Sequence, residues 1–385
     1  MLLDLSPDIT PQFIDPKPSI MRLVFLLFTL LSLNLRAQQS TPEVIAQQAD
    51  EMLATYIEEG KFVGVTAGFS IENSTIWTGS AGVCDEDRQE PCQVETINRI
   101  ASITKTMTAV AALQLVEKGQ LDLDASIDTY LPDYPQPAGS KITARMLLQH
   151  TSGIGGYADT KEAETKEEYP TLTAVFEIFQ DRELLFEPGT KYSYTTYGYV
   201  VLGAVIEVVS GQNFTSYLQE NIWDVVGMPD TGVEQFGVDY PNKSALFSRN
   251  RKGKLKAAEA NNLSNRIPGG GVYSTVPDIL KFGQVLLAGQ LISKESLLLM
   301  YTAPDVERGE NNPYGMGAWY YGSNDTFGPV IGHTGGQTGA SSFLFLMPET
   351  KVVVIVLSNT SRTLGDVTQL TNGLFPLVAA CLSAE

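Results

Sequence analysis

The stretch RIASITKTMTAV, residues 99–110, carries a serine and a lysine three positions apart at the start of an apolar run. In a helix this spacing places Ser102 and Lys105 on one face, where the amine can approach the hydroxyl. Lysine can take the serine proton if burial and the positive helix N-terminus lower its pKa. The backbone N–H of Ser102 could also stabilise an oxyanion. The stretch therefore indicates a nucleophile and its base, unless Ser102 only caps a helix and Lys105 is an ordinary solvated residue.

The composition describes a folded protein with an acidic surface. Of the 385 residues, 43% are hydrophobic, and the formal net charge is −18. A strongly negative chain is a poor partner for nucleic acid or for an anionic membrane surface. The chain has only two histidines, and no Cys/His cluster has the spacing of metal ligands. We therefore expect no metal and no cofactor.

Residues 1–37 have the pattern of a leader. Met21 and Arg22 precede the apolar run 23–33, and the small residue Ala37 follows soon after it. This is the pattern of a secretory signal, and the run is too short to span a bilayer comfortably. We expect translation to begin at Met21, cleavage near Ala37, and export to the periplasm or the extracellular space. An uncleaved membrane anchor is the alternative.

The chain contains three cysteines. Cys84 and Cys92 flank the polar loop DEDRQEP, which is typical of a turn. In an oxidising compartment these two residues could close a small disulfide. Cys381 lies in the apolar pattern of the C-terminal helix and is expected to stay unpaired.

Hydrophobic periodicity predicts strands near both ends of the chain and helices between them. The fold class that follows is α+β: an antiparallel β-sheet flanked by N- and C-terminal helices, with an inserted, mostly helical region. We expect residues 38–385 to form one domain, with its α/β part at about 41–100 and 311–385 and its helical region at about 120–310. The predicted elements are helices at 41–60, 102–118 and 364–383 and strands at 63–71, 75–83, 317–321, 330–333, 342–347 and 352–357.

Four further motifs follow the serine along the chain. They are LLQHTSGI (147–154), EPGTKYSYTTYGY (187–199), PGGGVYST (268–275) and GHTGG (332–336). Together with Ser102 and Lys105, they resemble the serine β-lactamase-like family of class C β-lactamases, D,D-peptidases, D-amino-acid peptidases and related esterases. The resemblance covers most of residues 45–380 in the family's order and rough spacing. It implies that 38–385 is a β-lactamase/transpeptidase-like catalytic domain.

The resemblance assigns roles to three side chains. Ser102 is implied to be the acylated nucleophile, Lys105 its proton partner, and Tyr194 the second base, which also protonates the leaving group. A tyrosine has an ordinary pKa of about 10, so this role requires positive charge that favours the phenolate. Lys105 is the obvious source of that charge, and His333 is a weaker one. The alternative for Tyr194 is a half-buried aromatic residue before a helix.

The triplet His333-Thr334-Gly335 takes the place of the family's K-T-G strand, which lines the cleft and contacts the substrate. The resemblance makes the N–H of Gly336 the second oxyanion donor, beside that of Ser102. Histidine in place of lysine lowers the fixed positive charge. The alternative for His333 is a strand-end histidine bonded to backbone.

Three other positions bear on the match to the family pattern. Thr196 stands where the family usually has asparagine, and it offers the substrate one short hydroxyl instead of an amide. This weakens the case for efficient hydrolysis of penicillins and cephalosporins. The only literal Y-x-N, residues 240–242, lies at the wrong distance from Ser102 and precedes no apolar helix, so Tyr194 is preferred. His150 is expected to be structural and to bond its own turn.

The sequence thus predicts an exported serine hydrolase that acts on an ester or amide through an acyl-enzyme. The expected partner is a small-molecule or peptide substrate, without nucleic acid and without membrane contact beyond an uncleaved signal anchor. The oligomeric state is not predicted. One alternative is a β-lactamase proper, against which Thr196 argues. Another is a non-catalytic binding module that kept the fold, against which intact Ser102, Lys105 and Tyr194 argue.

Overall fold

A computed structural model describes residues 41–85, 87, 89–134, 141–306 and 313–383. The predicted leader lies outside these ranges, so its cleavage stays a prediction. The α-helices are α1 (Pro42–Glu58), α2 (Thr104–Glu117), α3 (Ala144–Leu148), α4 (Thr160–Ala163), α5 (Thr196–Ser210), α6 (Phe214–Leu218), α7 (Asp224–Val226), α8 (Ile267–Gly270), α9 (Val276–Leu287), α10 (Lys294–Tyr301) and α11 (Leu364–Leu382). The β-strands are β1 (Gly64–Ile71), β2 (Ser74–Gly82), β3 (Asn98–Arg99), β4 (Gly232–Val233), β5 (Phe247–Arg249), β6 (Leu255–Ala257), β7 (Val272–Ser274), β8 (Trp319–Asn324), β9 (Gly328–Gln337), β10 (Ala340–Met347), β11 (Val352–Ser358) and β12 (Thr360–Ser361).

The main sheet joins the two ends of the chain. Its six strands lie in the order β2-β1-β11-β10-β9-β8, and all neighbours run antiparallel. Val354 of β11 pairs with Phe69 from the first strand and with Phe345 from β10. Two three-stranded sheets, β3-β7-β4 and β12-β5-β6, lie outside it. The predicted α+β fold, with one antiparallel sheet built from both ends of the chain, is confirmed.

The sheet is buried on both faces because helices cover each side. Along β11, Val352, Val354 and Val356 belong to the apolar cluster that also contains buried residues of α1 and α11. Val353 and Ile355 alternate with them and belong to the cluster on the other side, which contains residues of α2 and α9. Burying each such side chain stabilises the fold by about 1.5–3 kcal/mol. The run of apolar residues in this strand therefore reflects a two-sided core.

Helix α2 runs through the interior of the protein. Residues 104–115 are all buried, so the helix meets protein on every side, as an all-round apolar pattern predicts. A close approach to the Gly317 segment is part of this packing, since a side chain at Gly317 would lie 2.3 Å from the Cβ of Ala109. The Thr106 hydroxyl donates to the Gly317 carbonyl oxygen at 2.9 Å. The serine–lysine pair is therefore built on a rigid, buried element.

A disulfide links Cys84 and Cys92 at one end of β2. The Cys92 N–H donates to the Gly82 carbonyl, and the Cys84 N–H donates to the Glu90 carbonyl, each at 3.0 Å. The small loop that the sequence allowed is therefore closed both covalently and by backbone hydrogen bonds. Cys381 lies on α11. In the part of the chain that the structure describes, no helix has the length and apolarity needed to cross a bilayer.

Candidate active site

Ser102 lies in a short 3-10 turn, Ala101–Ile103, directly before α2. The residue before it, Ala101, has φ of +48°, a left-handed conformation that is uncommon for a non-glycine residue. The Thr104 hydroxyl donates to the Ala101 carbonyl at 2.7 Å and supports this turn. Ala101 and Ile103 are buried, whereas Ser102 is partly exposed. The serine hydroxyl is thus presented at the edge of an otherwise buried helix start.

Lys105 is fully buried beside Ser102. Its Nζ lies 2.6 Å from the Gly269 carbonyl oxygen, 3.2 Å from Ser102 Oγ and 3.5 Å from Thr196 Oγ1. Burial first, and then the positive charge of Arg266, lower the pKa of Lys105 well below its ordinary value. A neutral amine has two N–H donors and one lone pair. If Gly269 and Thr196 accept the two N–H groups, the lone pair is left for the Ser102 hydroxyl.

Tyr194 completes this cluster. Its ring centroid lies 4.8 Å from Lys105 Nζ, and its hydroxyl is hydrogen-bonded to Ser102. Burial raises the pKa of Tyr194 well above 10, and the Ser102 hydrogen bond only partly opposes this. Burial therefore works against the phenolate that a second-base role would require, and it removes the positive charge of Lys105 as well. The role of Tyr194 as a second base stays a prediction. The pair is an amine and a phenol, and the phenol can donate a proton.

Strand β9 passes directly beside the nucleophile turn. A side chain at Gly335 would lie 2.5 Å from the Ile100 carbonyl oxygen and 3.1 Å from the Cβ of Ala101, so only glycine allows this approach. The next residue, Gly336, is exposed and has open space around it. Ser102 and Gly336 therefore stand on adjacent segments of the chain. Their joint role as oxyanion donors stays a prediction.

His333 lies behind the cleft and is not part of its open surface. Its side chain is 1% exposed, with Nδ1 2.6 Å from the Thr334 carbonyl oxygen and Nε2 3.1 Å from the Tyr314 hydroxyl. Burial is the main cause that lowers the pKa of His333 to about 3. The ring is therefore neutral at ordinary pH, with its proton on Nδ1 and Nε2 accepting from Tyr314. It supplies no fixed positive charge, and the half-buried Thr334 is the more accessible residue of the triplet.

His150 makes a different contact from the one expected. Its imidazole is fully buried, and Nδ1 accepts the Thr195 N–H at 3.2 Å instead of bonding its own turn. Thr195 is the N-cap of α5, in the segment that carries Tyr194. Burial is the main cause that lowers the pKa of His150 well below 6.5. The fold thus places a second neutral histidine next to the reactive cluster.

Two groups at the site were missed by sequence reasoning. The Gly269 carbonyl accepts a hydrogen bond from Lys105, a role that the PGGG motif alone does not indicate. Tyr314 stands between the rings of His150 and His333, with centroids 4.6 and 5.6 Å away. No local motif marks this tyrosine.

Arg99, at the end of β3, is buried and forms a bidentate pair with Glu234 at 2.8 and 2.6 Å. Its Nη1 donates to Asn261 Oδ1 and to the Thr338 carbonyl, both at 2.8 Å. Thr338 lies in the turn between β9 and β10. Arg99 thus ties the strand before the nucleophile to the segment that follows Gly336. Breaking a buried pair of this kind typically costs about 3–5 kcal/mol.

The site contains no candidate metal centre. Across the ranges that the structure describes, no three histidine, cysteine or acidic side chains are grouped so that they could hold an ion. The reactive cluster itself supplies a hydroxyl, an amine and a phenol, from Ser102, Lys105 and Tyr194.

Known proteins resemble this chain over most of its length. The family model described as Beta-lactamase matches residues 49–373. Human "Serine beta-lactamase-like protein LACTB, mitochondrial" is 27% identical over 406 residues, covering 82% of this chain and 72% of that protein. Esterase EstB from Burkholderia gladioli is 26% identical over 309 residues, covering 70% of this chain and 77% of that protein. The crystal structure of a D-stereospecific amidohydrolase from Streptomyces sp. superposes with a TM-score of 0.73 at 26% identity, covering 86% of this chain and 98% of that one.

Proposed function

The chain belongs to the beta-lactamase family, whose matched members include serine hydrolases of esterase and amidase type, and we propose that it cleaves an ester or amide through an acyl-enzyme on Ser102. One observation carries the proposal: a fully buried lysine has its Nζ 3.2 Å from the Ser102 hydroxyl. In the described part of the chain, Lys105 forms no ion pair with a carboxylate. A buried amine without a counter-ion is neutral and can act as a base.

In the acylation step, Lys105 takes the proton of Ser102 while Oγ attacks the substrate carbonyl carbon. The carbonyl π electrons move to oxygen, and the N–H groups of Ser102 and Gly336 hold that oxyanion. Losing one such donor typically costs about 100- to 1000-fold in rate. When the intermediate collapses, the C–O or C–N bond breaks and Tyr194 gives its proton to the leaving group. The Lys105 ammonium then returns a proton to Tyr194.

Water resolves the acyl-enzyme by the reverse sequence of proton transfers. Lys105, neutral again, is placed to take a proton from the attacking water, directly or through Tyr194. Collapse of the second tetrahedral intermediate releases the acid and returns the proton to Ser102 Oγ. General acid–base assistance of this kind contributes about 100- to 10,000-fold.

Substrate preference is expected to follow Thr196. We propose that p-nitrophenyl butyrate, or a D-amino-acid p-nitroanilide, is turned over at least about tenfold faster in kcat/KM than a penicillin, since one missing hydrogen bond costs about 1.4 kcal/mol. The measurement is a comparison of steady-state kinetics on the three substrates. The matched variant is Thr196→Asn, which introduces the amide of the family pattern at residue 196. It is expected to raise the kcat/KM for penicillin. Wild-type hydrolysis of penicillin as fast as that of the ester would favour a β-lactamase proper.

We further propose that the chain is exported. The leader pattern that ends near Ala37 supports this, as does the Cys84–Cys92 disulfide, which is typical of oxidising compartments. We expect N-terminal sequencing of the protein from the periplasm of a bacterial host to begin just after Ala37. A protein that keeps its leader and remains with membranes would show the uncleaved anchor instead. A cytoplasmic protein with reduced Cys84 and Cys92 would contradict export.

A further inference from the structure

His150 holds the segment that carries Tyr194 at two points. Its backbone carbonyl accepts the Ser193 N–H at 2.9 Å, and its ring Nδ1 accepts the Thr195 N–H at 3.2 Å. These two N–H groups lie immediately before and after Tyr194 in the chain. The imidazole also packs on the Tyr194 ring, with centroids 4.3 Å apart. His150 therefore contacts the backbone on both sides of Tyr194 and also the Tyr194 ring.

The hydrogen-bond partners of the His150 ring show which of its two nitrogens acts as an acceptor. Since Nδ1 accepts a hydrogen bond, the proton of the neutral ring lies on Nε2. Nε2 is buried and has no hydrogen-bond partner in the described part of the chain. Burying a donor without a partner is unfavourable, and phenylalanine would fill similar space without that cost. What His150 offers and phenylalanine lacks is the acceptor at Nδ1.

The backbone conformation of His150 supports the same interpretation. Its φ of +58° lies in the left-handed region, which is costly for most side chains and tolerated by asparagine, aspartate and histidine. This conformation lets the carbonyl and the ring of one residue accept from two N–H groups that are two positions apart.

We propose that His150 is a positioning residue, whose two acceptors fix the backbone around Tyr194 and so hold the phenol beside Ser102 and the departing group. The inference rests on the proposed function. Misplacing a catalytic group by about 1 Å can cost about 100-fold in rate. The loss falls on the step in which Tyr194 acts, the protonation of the leaving group. If the histidine were purely structural, its replacement would lower the rate for all substrates by the same factor.

Two esters with the same acyl group separate these cases. p-Nitrophenolate departs from p-nitrophenyl butyrate without a proton, whereas the alkoxide of ethyl butyrate needs one. The variants are His150→Asn, which keeps an acceptor near the position of Nδ1, and His150→Leu, which has similar size without the acceptor. His150→Phe keeps a ring without the acceptor. Tyr194→Phe and Ser102→Ala serve as references, and thermal unfolding is recorded for each protein.

We expect His150→Leu and His150→Phe to lower kcat/KM for ethyl butyrate by about 100-fold but for p-nitrophenyl butyrate by less than about fivefold, the same selectivity as Tyr194→Phe. His150→Asn is expected to stay within about threefold of wild type on both esters. The inference is overturned by equal losses on the two esters, by unchanged rates in the Leu and Phe variants, by an Asn variant as impaired as Phe, or by failure of both Leu and Phe variants to fold. Wild type no faster than Ser102→Ala on either ester overturns the proposed function itself.

Discussion

Ser102→Ala is expected to lower kcat/KM for p-nitrophenyl butyrate by about 10,000-fold or more, as loss of the nucleophile does in other serine hydrolases. The reason is that the Ser102 hydroxyl lies nearest the Lys105 amine: Nζ is 3.2 Å from Ser102 Oγ, whereas the Thr196 hydroxyl, 3.5 Å away, is placed to accept an N–H from it. The measurement is steady-state kinetics on purified, folded protein. Stability should change little, because Ser102 is partly exposed.

The matched control for this variant is Ser74→Ala. Ser74 is an exposed serine at the start of β2, and its replacement should leave the rate within about twofold of wild type. A Ser102→Ala protein that keeps a tenth or more of the wild-type activity would contradict a nucleophilic Ser102.

Lys105→Met is expected to lower kcat/KM by about 100- to 10,000-fold while leaving the protein at least as stable as wild type. Methionine fills similar space but cannot take the Ser102 proton. A buried lysine without a counter-ion opposes folding, because the unfolded chain binds a proton that the folded one excludes. Kinetics and denaturant unfolding at pH 7 check the two halves of this expectation. An inactive variant that is also strongly destabilised would instead point to a structural lysine.

The pH dependence tests the same lysine in the wild-type enzyme. Because burial lowers the pKa of Lys105 well below its ordinary value, the base is already free where an exposed lysine would still be protonated. The rate should therefore fall as the pH falls through this lowered pKa, and the maximal rate should be reached above that pKa. Arg266→Gln removes the neighbouring positive charge and should therefore move this fall in rate to higher pH. A rate that already falls at the pKa of an ordinary lysine would contradict a neutral Lys105.

Much of the fold followed from local pattern. The strands near both ends of the chain were predicted because alternating and continuous apolar runs mark them directly, and a sheet that joins them buries both patterns. The closeness of Ser102 and Lys105 was also predictable, since a spacing of three in a helix is a local geometric fact. These elements needed no information from distant residues.

The rest of the site depends on contacts between distant segments. The Gly269 carbonyl meets Lys105 across 164 residues, and the Thr195 N–H meets His150 across 45. Burial is likewise invisible in a motif, so sequence reasoning could not judge the charge of Tyr194. Sequence alone placed a lysine beside it but did not show that both groups lie where charge is unfavourable.

The most direct test of an activated Ser102 is covalent. Purified protein is incubated with a fluorophosphonate, its intact mass is measured, and peptides are mapped in wild type, Ser102→Ala and Ser74→Ala. We predict a single adduct on the peptide that contains Ser102, present in wild type and Ser74→Ala and absent from Ser102→Ala. Folded wild-type protein without an adduct, or an equal adduct on Ser102→Ala, would contradict the assignment of Ser102 as the nucleophile.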